Sequence, residues 1–379
     1  MMKCVVRILI VAVFSAASTS CWAQVKFDGG PTGLGGAFLD AANWNPDGVP
    51  GAIATDRYAI NDGFTSTYAT SATTTVLGLR IGTDAPVSPT PTGTPGTLLM
   101  SAGKLIVSGS GDSFEIGRAC CSGTGVMTMS GNAILEIQGS DPIVGDRDSG
   151  TLNIGNSASV ISTRPDGAYW RVGNYGPSID AGLEGNGLLN VYNSGSFSAH
   201  VILLGTADGD GEVRVADNGA IRLTGNLAAT DGTDQPNRSA LVHMIGSSAT
   251  LTAVNVEAAN GLSQVHNQFQ FSADIGGFSE IVLSNAVNIT NNNLIIDLNS
   301  FVLAPGGTAL LFDAAPGQVY GTFASLSVNG VSPTLQYSVI YDVAAGDILL
   351  RHIPEPATAG LLGFGLALAG FVTRRGARR

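Results

Sequence analysis

Apolar and polar residues alternate along the middle of this chain in short runs that stop and restart. The segments GTLLMSAGKLIV (96–107), GVMTMSGNAILEI (125–137), GTLNIGNSASVI (150–161), GLLNVYNSGSFS (187–198) and GEVRVADNGAIRL (211–223) share one arrangement. Each opens with glycine, alternates over four or five positions, breaks at a Gly, Asn or Ser cluster, and alternates again. The leading residues Gly96, Gly125, Gly150, Gly187 and Gly211 are spaced by 29, 25, 37 and 24 residues. A second register runs between them: FEIGR (114–118), PIVGD (142–146), YWRVGN (169–174) and ILLGT (202–206).

Alternation with period two predicts strands with one apolar face, and the Gly/Asn/Asp clusters supply the positive-φ corners of tight bends. No single run can bury its own apolar face. Repeats of this length bury it by stacking, each coil covering the next, with parallel strands about 4.8 Å apart. The fold class expected is therefore all-β: a right-handed parallel β-helix, or β-solenoid, with a β-rich C-terminal unit. An antiparallel sandwich has similar strand and turn density but does not need one glycine-led phrase five times. Five or six coils are expected from residue 96 to about 260. Leu98, Met100, Leu105, Val107, Met127, Met129, Leu152, Ile154, Leu189, Val191, Val213 and Val215 should point inward.

The flanks lack the phrase. Residues 24–95 read as an N-terminal β cap and linker, with Phe38, Trp44 and Tyr58 as aromatics to cover the first coil and a Ser/Thr/Pro loop at 87–95. Residues 96–261 are the repeats. Residues 262–352 keep strand patterns such as LIIDLNSFVL (294–303) and LQYSVIYDVAAGDILL (335–350), and read as a β-rich closing unit.

The two termini change how charge is counted. Lys3 and Arg7, the apolar run Val5 to Ala17 and the sequence Cys21-Trp22-Ala23 read as a signal peptide over residues 1–23, cleaved between Ala23 and Gln24. The apolar run is too short for a transmembrane anchor. Ser18-Thr19-Ser20-Cys21 resembles a lipid-attachment signal but lacks the leucine three residues before the cysteine. At the other end, residues 353–379 hold Pro354-Glu355-Pro356, the apolar stretch Ala357 to Val372, and arginines at 374, 375, 378 and 379. As a helix, that 16-residue stretch reaches about 24 Å against a bilayer core roughly 30 Å thick. It can insert by local thinning, with Arg374 and Arg375 at the headgroups and held on the cytoplasmic side.

Six of the 18 cations and one of the 29 acids lie in these termini, leaving 12 against 28, a net charge of −16 on the segment between. Such a surface repels phosphate backbones and excludes nucleic acid as a partner. Glycine, 51 of 379 residues, is nearly twice its usual share of roughly 7%, as suits a chain that turns often. Without Cys4 and Cys21, only the adjacent pair Cys120-Cys121 is left, which makes neither a disulfide framework nor a zinc site.

A signal peptide, glycine-rich β repeats, then Pro354-Glu355-Pro356, an apolar segment and Arg374-Arg375 resemble the PEP-CTERM proteins of Gram-negative bacteria. The body is similar, more loosely, to autotransporter-like β-helical repeats. The resemblance implies export with help from signal peptidase, transient anchoring by the C-terminal helix, and recognition of the sorting residues Pro354, Glu355, Pro356, Arg374 and Arg375 by an exosortase. It further implies a cell surface or extracellular matrix rich in exopolysaccharide. It does not state what the exported part does.

Because β-helices also host polysaccharide lyases and glycosidases, carboxylate pairs need weighing. Asp146 and Asp148 beside Arg147, and Asp208 with Asp210, sit in glycine-rich corners where Asp is favoured for turn geometry alone. Neither set completes a calcium-loop pattern. His200, His243, His266 and His352 show no paired spacing, and no GxSxG motif occurs. Tyr169, Trp170, Tyr175 and Tyr192 are the one aromatic cluster that could line a glycan, with packing as the alternative. The reading is a structural or adhesive protein with no catalytic residues, metal or cofactor. A polysaccharide-degrading or glycan-binding β-helix is the alternative.

Overall fold

The computed structural model describes residues 24–52, 56–83, 95–111, 113–118, 123–146, 148–164, 167–174, 185–206, 209–229, 239–257, 266–330 and 336–354. The expected signal peptide and C-terminal helix lie outside them, as do Cys120 and Cys121. Apart from a 3₁₀ turn at Ala41–Asn43, the described elements are strands. No helix among them is long and apolar enough to cross a membrane.

The strands wind into a three-faced β-solenoid. Each coil contributes one strand to every face. In the second coil these are Gly96–Met100 on the first face, Lys104–Val107 on the second and Phe114–Arg118 on the third. Nine complete coils run from Thr65–Tyr68 to Val319–Tyr320, every successive pair parallel and in register. On the first face Gly96, Gly125, Gly150, Gly187 and Gly211 stack in one column. At about 4.8 Å per coil, the nine span about 40 Å.

All twelve residues expected to point inward are buried at 1% exposure or less. The stretch from 96 to 257 forms six coils, and the winding continues past both expected limits. One coil precedes it at residues 65–83 and two follow within 266–320, so the coil occupies part of each flank. The leading glycine fails to mark these coils because its cause is local. The third-face strands at Gly82, Gly117, Gly145, Gly173 and Gly205 each carry a positive-φ glycine at which the strand end bulges toward the next first-face strand while its one-to-one pairing with the neighbouring coils holds. A Cβ on Gly187 would lie 2.1 Å from Gly173 N and 2.2 Å from Val144 O, and the other four leading glycines meet the same obstacle. The next third-face strand, Asn226–Ala229, has no such bulge, and the glycine column accepts Ala240 there. Alternation alone then carries the coil onward, as in the buried Leu294 and Ile296 of Asn293–Asp297.

Both ends are closed differently. At the start, Phe27, Phe38, Trp44 and Tyr58 are buried and meet edge to face, with Trp44 5.0–5.2 Å from each of the other three rings. Trp44 Nε1 donates to Phe38 O at 2.7 Å. At the far end, Ser325–Asn329 adds one more strand to the first face. An antiparallel hairpin, Gln336–Asp342 and Asp347–Ile353, pairs with Thr308–Asp313 and extends the second face. Antiparallel pairing ends the winding, because a reversed strand cannot lead into another coil.

Candidate functional site

The junction between body and tail is set by the last strand. Asp347–Ile353 is hydrogen-bonded on both sides, to Thr308–Asp313 and to Gln336–Asp342. His352 is buried there. Its Nδ1 lies 2.8 Å from Leu303 O, its ring stacks on Tyr337 at 5.0 Å, and its backbone N–H donates to Gly307 O at 3.1 Å. One residue past the strand, Pro354 is exposed. Proline has no N–H to offer a ladder, so the chain leaves the sheet where the Pro-Glu-Pro triplet begins. Glu355, Pro356, Arg374 and Arg375 lie outside the described residues, as does Ala23. Gln24 opens the first strand, Gln24–Phe27, opposite Arg57. The two expected processing points thus border the described body directly.

The acidic corners do not converge. Asp146 is buried, accepts from Asn174 Nδ2 at 2.9 Å and lies 3.7 Å from Arg118 Nε. Asp148 accepts from the Ser149 backbone N–H at 2.6 Å. Asp210 accepts from the Ser239 N–H at 2.7 Å. Only the Asp148 bond is local; Asp146 and Asp210, expected to serve turn geometry, instead tie their strands to neighbouring coils. Arg147 and Asp208 lie outside the described residues, and among those described no three ligating side chains come together.

Of the histidines, His200 bonds Thr224 Oγ1 at 3.0 Å. The His266 side chain lies outside the description. His243 Nε2 is 2.9 Å from Ser272 Oγ, which donates to Asp297 at 3.0 Å. The hydroxyl stands between imidazole and carboxylate, whereas a hydrolytic triad needs the imidazole in the middle. Burial, then the nearby Arg214 charge, pushes the His243 pKa down. At Asp297 burial opposes ionisation, but hydrogen bonds from Asn329, Gln270 and Ser272 outweigh it and hold the carboxyl below its usual range. The aromatic cluster also divides. Trp170 is buried 4.8 Å from Phe197, Tyr169 is exposed beside His200, Tyr192 is half-buried, and Tyr175 lies outside the described residues.

One charged network escapes sequence reasoning. Glu115, fully buried, pairs with Arg80 at 2.5 Å and with Arg118, and Arg118 reaches Asp146 on the next coil. Asp146 continues through Asn174 to Thr206, whose hydroxyl donates to Asn174 Oδ1 at 2.6 Å. This polar column climbs the third face just past the bulge glycines, in register Thr83, Arg118, Asp146, Asn174, Thr206. Its trace in the sequence is the repeated apolar-Gly-polar ending of IGT, IGR, VGD, VGN and LGT. Charged pairs link the coils from Arg80 to Asp146, and neutral hydrogen bonds carry the column on to Thr206.

Compared with known families, residues 352–379 match the model described as the PEP-CTERM protein-sorting motif. No curated protein and no solved structure shows significant similarity to the chain.

Proposed function

From a chain that carries a PEP-CTERM sorting motif at residues 352–379 behind a β-solenoid body, we propose a structural or adhesive component of the bacterial surface or extracellular matrix, associated with exopolysaccharide. The motif itself implies an exported, exosortase-processed protein of a Gram-negative cell. The finer reading rests on one observation: an unbroken stack of nine coils ends at Tyr320 and is closed by an antiparallel hairpin whose last strand, Asp347–Ile353, stops one residue before the exposed Pro354. A stack that buries one continuous core along its length is a rod that holds its shape without a partner. Its doubly hydrogen-bonded last strand passes no slack to the tail, so cutting beyond Pro354 would release the body intact.

In this scheme signal peptidase cuts between Ala23 and Gln24. The apolar segment Ala357 to Val372 then holds the chain in the membrane, with Arg374 and Arg375 inside and Glu355 between its prolines outside. The body has no catalytic role. The carboxylates that sequence reasoning singled out and the structure describes are occupied in closing turns and linking coils. Intact-mass measurement of secreted protein tests the scheme. The expected mass lacks everything after roughly Pro356, and cells without exosortase should keep the full tail in the membrane fraction. Secreted protein that still ends at Arg379 would refute it.

A further inference from the structure

Between two side-chain rows on the first face lies a hollow of about 310 Å³, crossing four consecutive coils. Its strands are Ser149–Ile154, Asn186–Val191, Asp210–Ala216 and Ser239–Ile245, spanning about 14 Å at the usual strand spacing. One wall is the row Ser149, Asn186, Asp210, Ser239, and the other is Thr151, Leu188, Glu212, Leu241. The floor between them is the strand backbone at Gly150, Gly187 and Gly211. No hydrogen bond joins the Ser149 or Thr151 hydroxyl, or the Asn186 amide, to other described side chains, so each faces the hollow with bonding capacity to spare.

We propose that this groove binds an extended polysaccharide without acidic groups, lying parallel to the solenoid axis. The inference rests on the matrix reading above and gives it a site. Three features select the ligand. Hydroxyl, amide and carboxylate groups repeat row by row, suiting a polymer that offers hydroxyls at every unit. Leu188 and Leu241 place apolar surface among them, as the C–H faces of sugar rings require. The row spacing of about 4.8 Å is close to the length of one ring in an extended glycan. An extended peptide advances about 3.3 Å per residue, with like-facing side chains about 6.6 Å apart, and falls out of step. Charge narrows the choice further. Asp210 and Glu212 border the groove, Glu212 held by Arg214 at 2.7 Å, and the segment between the termini carries −16, so a uronate polymer is repelled.

Titration calorimetry on the full-length chain in detergent tests this with cellohexaose, a chitosan hexamer and an alginate hexamer. Binding is expected for the first two and not for the third. Thr151→Lys and Leu188→Lys each lay a long cationic side chain across the groove without touching the core, and should weaken binding of cellohexaose and of the chitosan hexamer by at least about tenfold with an unchanged melting temperature. Thr250→Glu, exposed on the second face, should leave it unaltered. Should neither neutral nor amino oligosaccharide bind, or both groove variants bind like the parent, the groove is not the site. Equal affinity for alginate would overturn the ligand class. The tail-processing assay reads only the mass of secreted protein, so failure here and failure of the sorting scheme are separable.

Discussion

Replacing Gly187 by alanine adds one carbon at a corner where two faces of the solenoid meet backbone to backbone. That carbon would sit 2.1 Å from Gly173 N, 2.2 Å from Val144 O and 2.8 Å from Val172 C, all backbone atoms, where ordinary contact begins at 3.4 Å. No side chain can turn aside, so the first-face strand must retreat by more than 1 Å from the third face. Overpacking of this kind costs about 1–3 kcal/mol, and each ladder hydrogen bond lost beside it about 0.5–1.5 kcal/mol. The expected loss is about 2–5 kcal/mol. With an unfolding entropy of about 2 cal/mol/K per residue, that lowers the melting temperature of a body this size by about 3–7 °C. Gly48→Ala is the control, since its nearest atom is Pro46 O at 3.9 Å. Thermal circular dichroism checks the shift. Hydrogen exchange should localise it to residues 172–215, because a stacked array can open without melting throughout. A Gly187→Ala protein that melts within a degree of the parent would show that the bulge and the leading glycine are not coupled.

Two further substitutions test the electrostatics. Glu115→Gln removes the buried carboxylate that two partly exposed arginines share, and should cost about 1.5–3 kcal/mol in denaturant unfolding. Glu136→Gln breaks the surface pair with Lys104 and should cost at most about 1 kcal/mol, so equal losses would discredit the buried network. Asp347 lies across from Asp313 on one side and Asp342 on the other, and burial first, then those two charges, push its carboxyl up. A raised folded-state value means that ionisation disfavours the fold, a penalty that grows as pH rises through the carboxylate range and is complete above the raised value. Asp347→Asn should therefore raise the melting temperature at pH 7. The gain should vanish below about pH 4 and shrink in high salt, and a lower melting temperature at pH 7 would contradict this.

The sequence by itself determined what repeats locally. Period-two alternation needs only neighbouring residues to place Leu98, Met127, Leu152, Leu189 and Val213 inside, and all five are buried. The aromatic cap was legible too, since Phe38, Trp44 and Tyr58 have no other apolar surface to cover than an open coil end. The sorting tail was legible for a different reason: a linear motif acts through its order along the chain and needs no partner from elsewhere in the fold. Tertiary structure alone decided how far the coil runs. The glycine-led phrase marks a clash between faces, not the coil itself, so it ends at Gly211 where the bulges end, while winding continues to residue 320. It also decided the partners of Glu115 and the walls of the groove. Arg80, Glu115 and Asp146 sit on three successive third-face strands, and Thr151, Leu188, Glu212 and Leu241 on four first-face strands. Residues separated by about one coil become neighbours only when the strands stack in register, and loops of unequal length between the strands hide that register from any fixed spacing in the sequence.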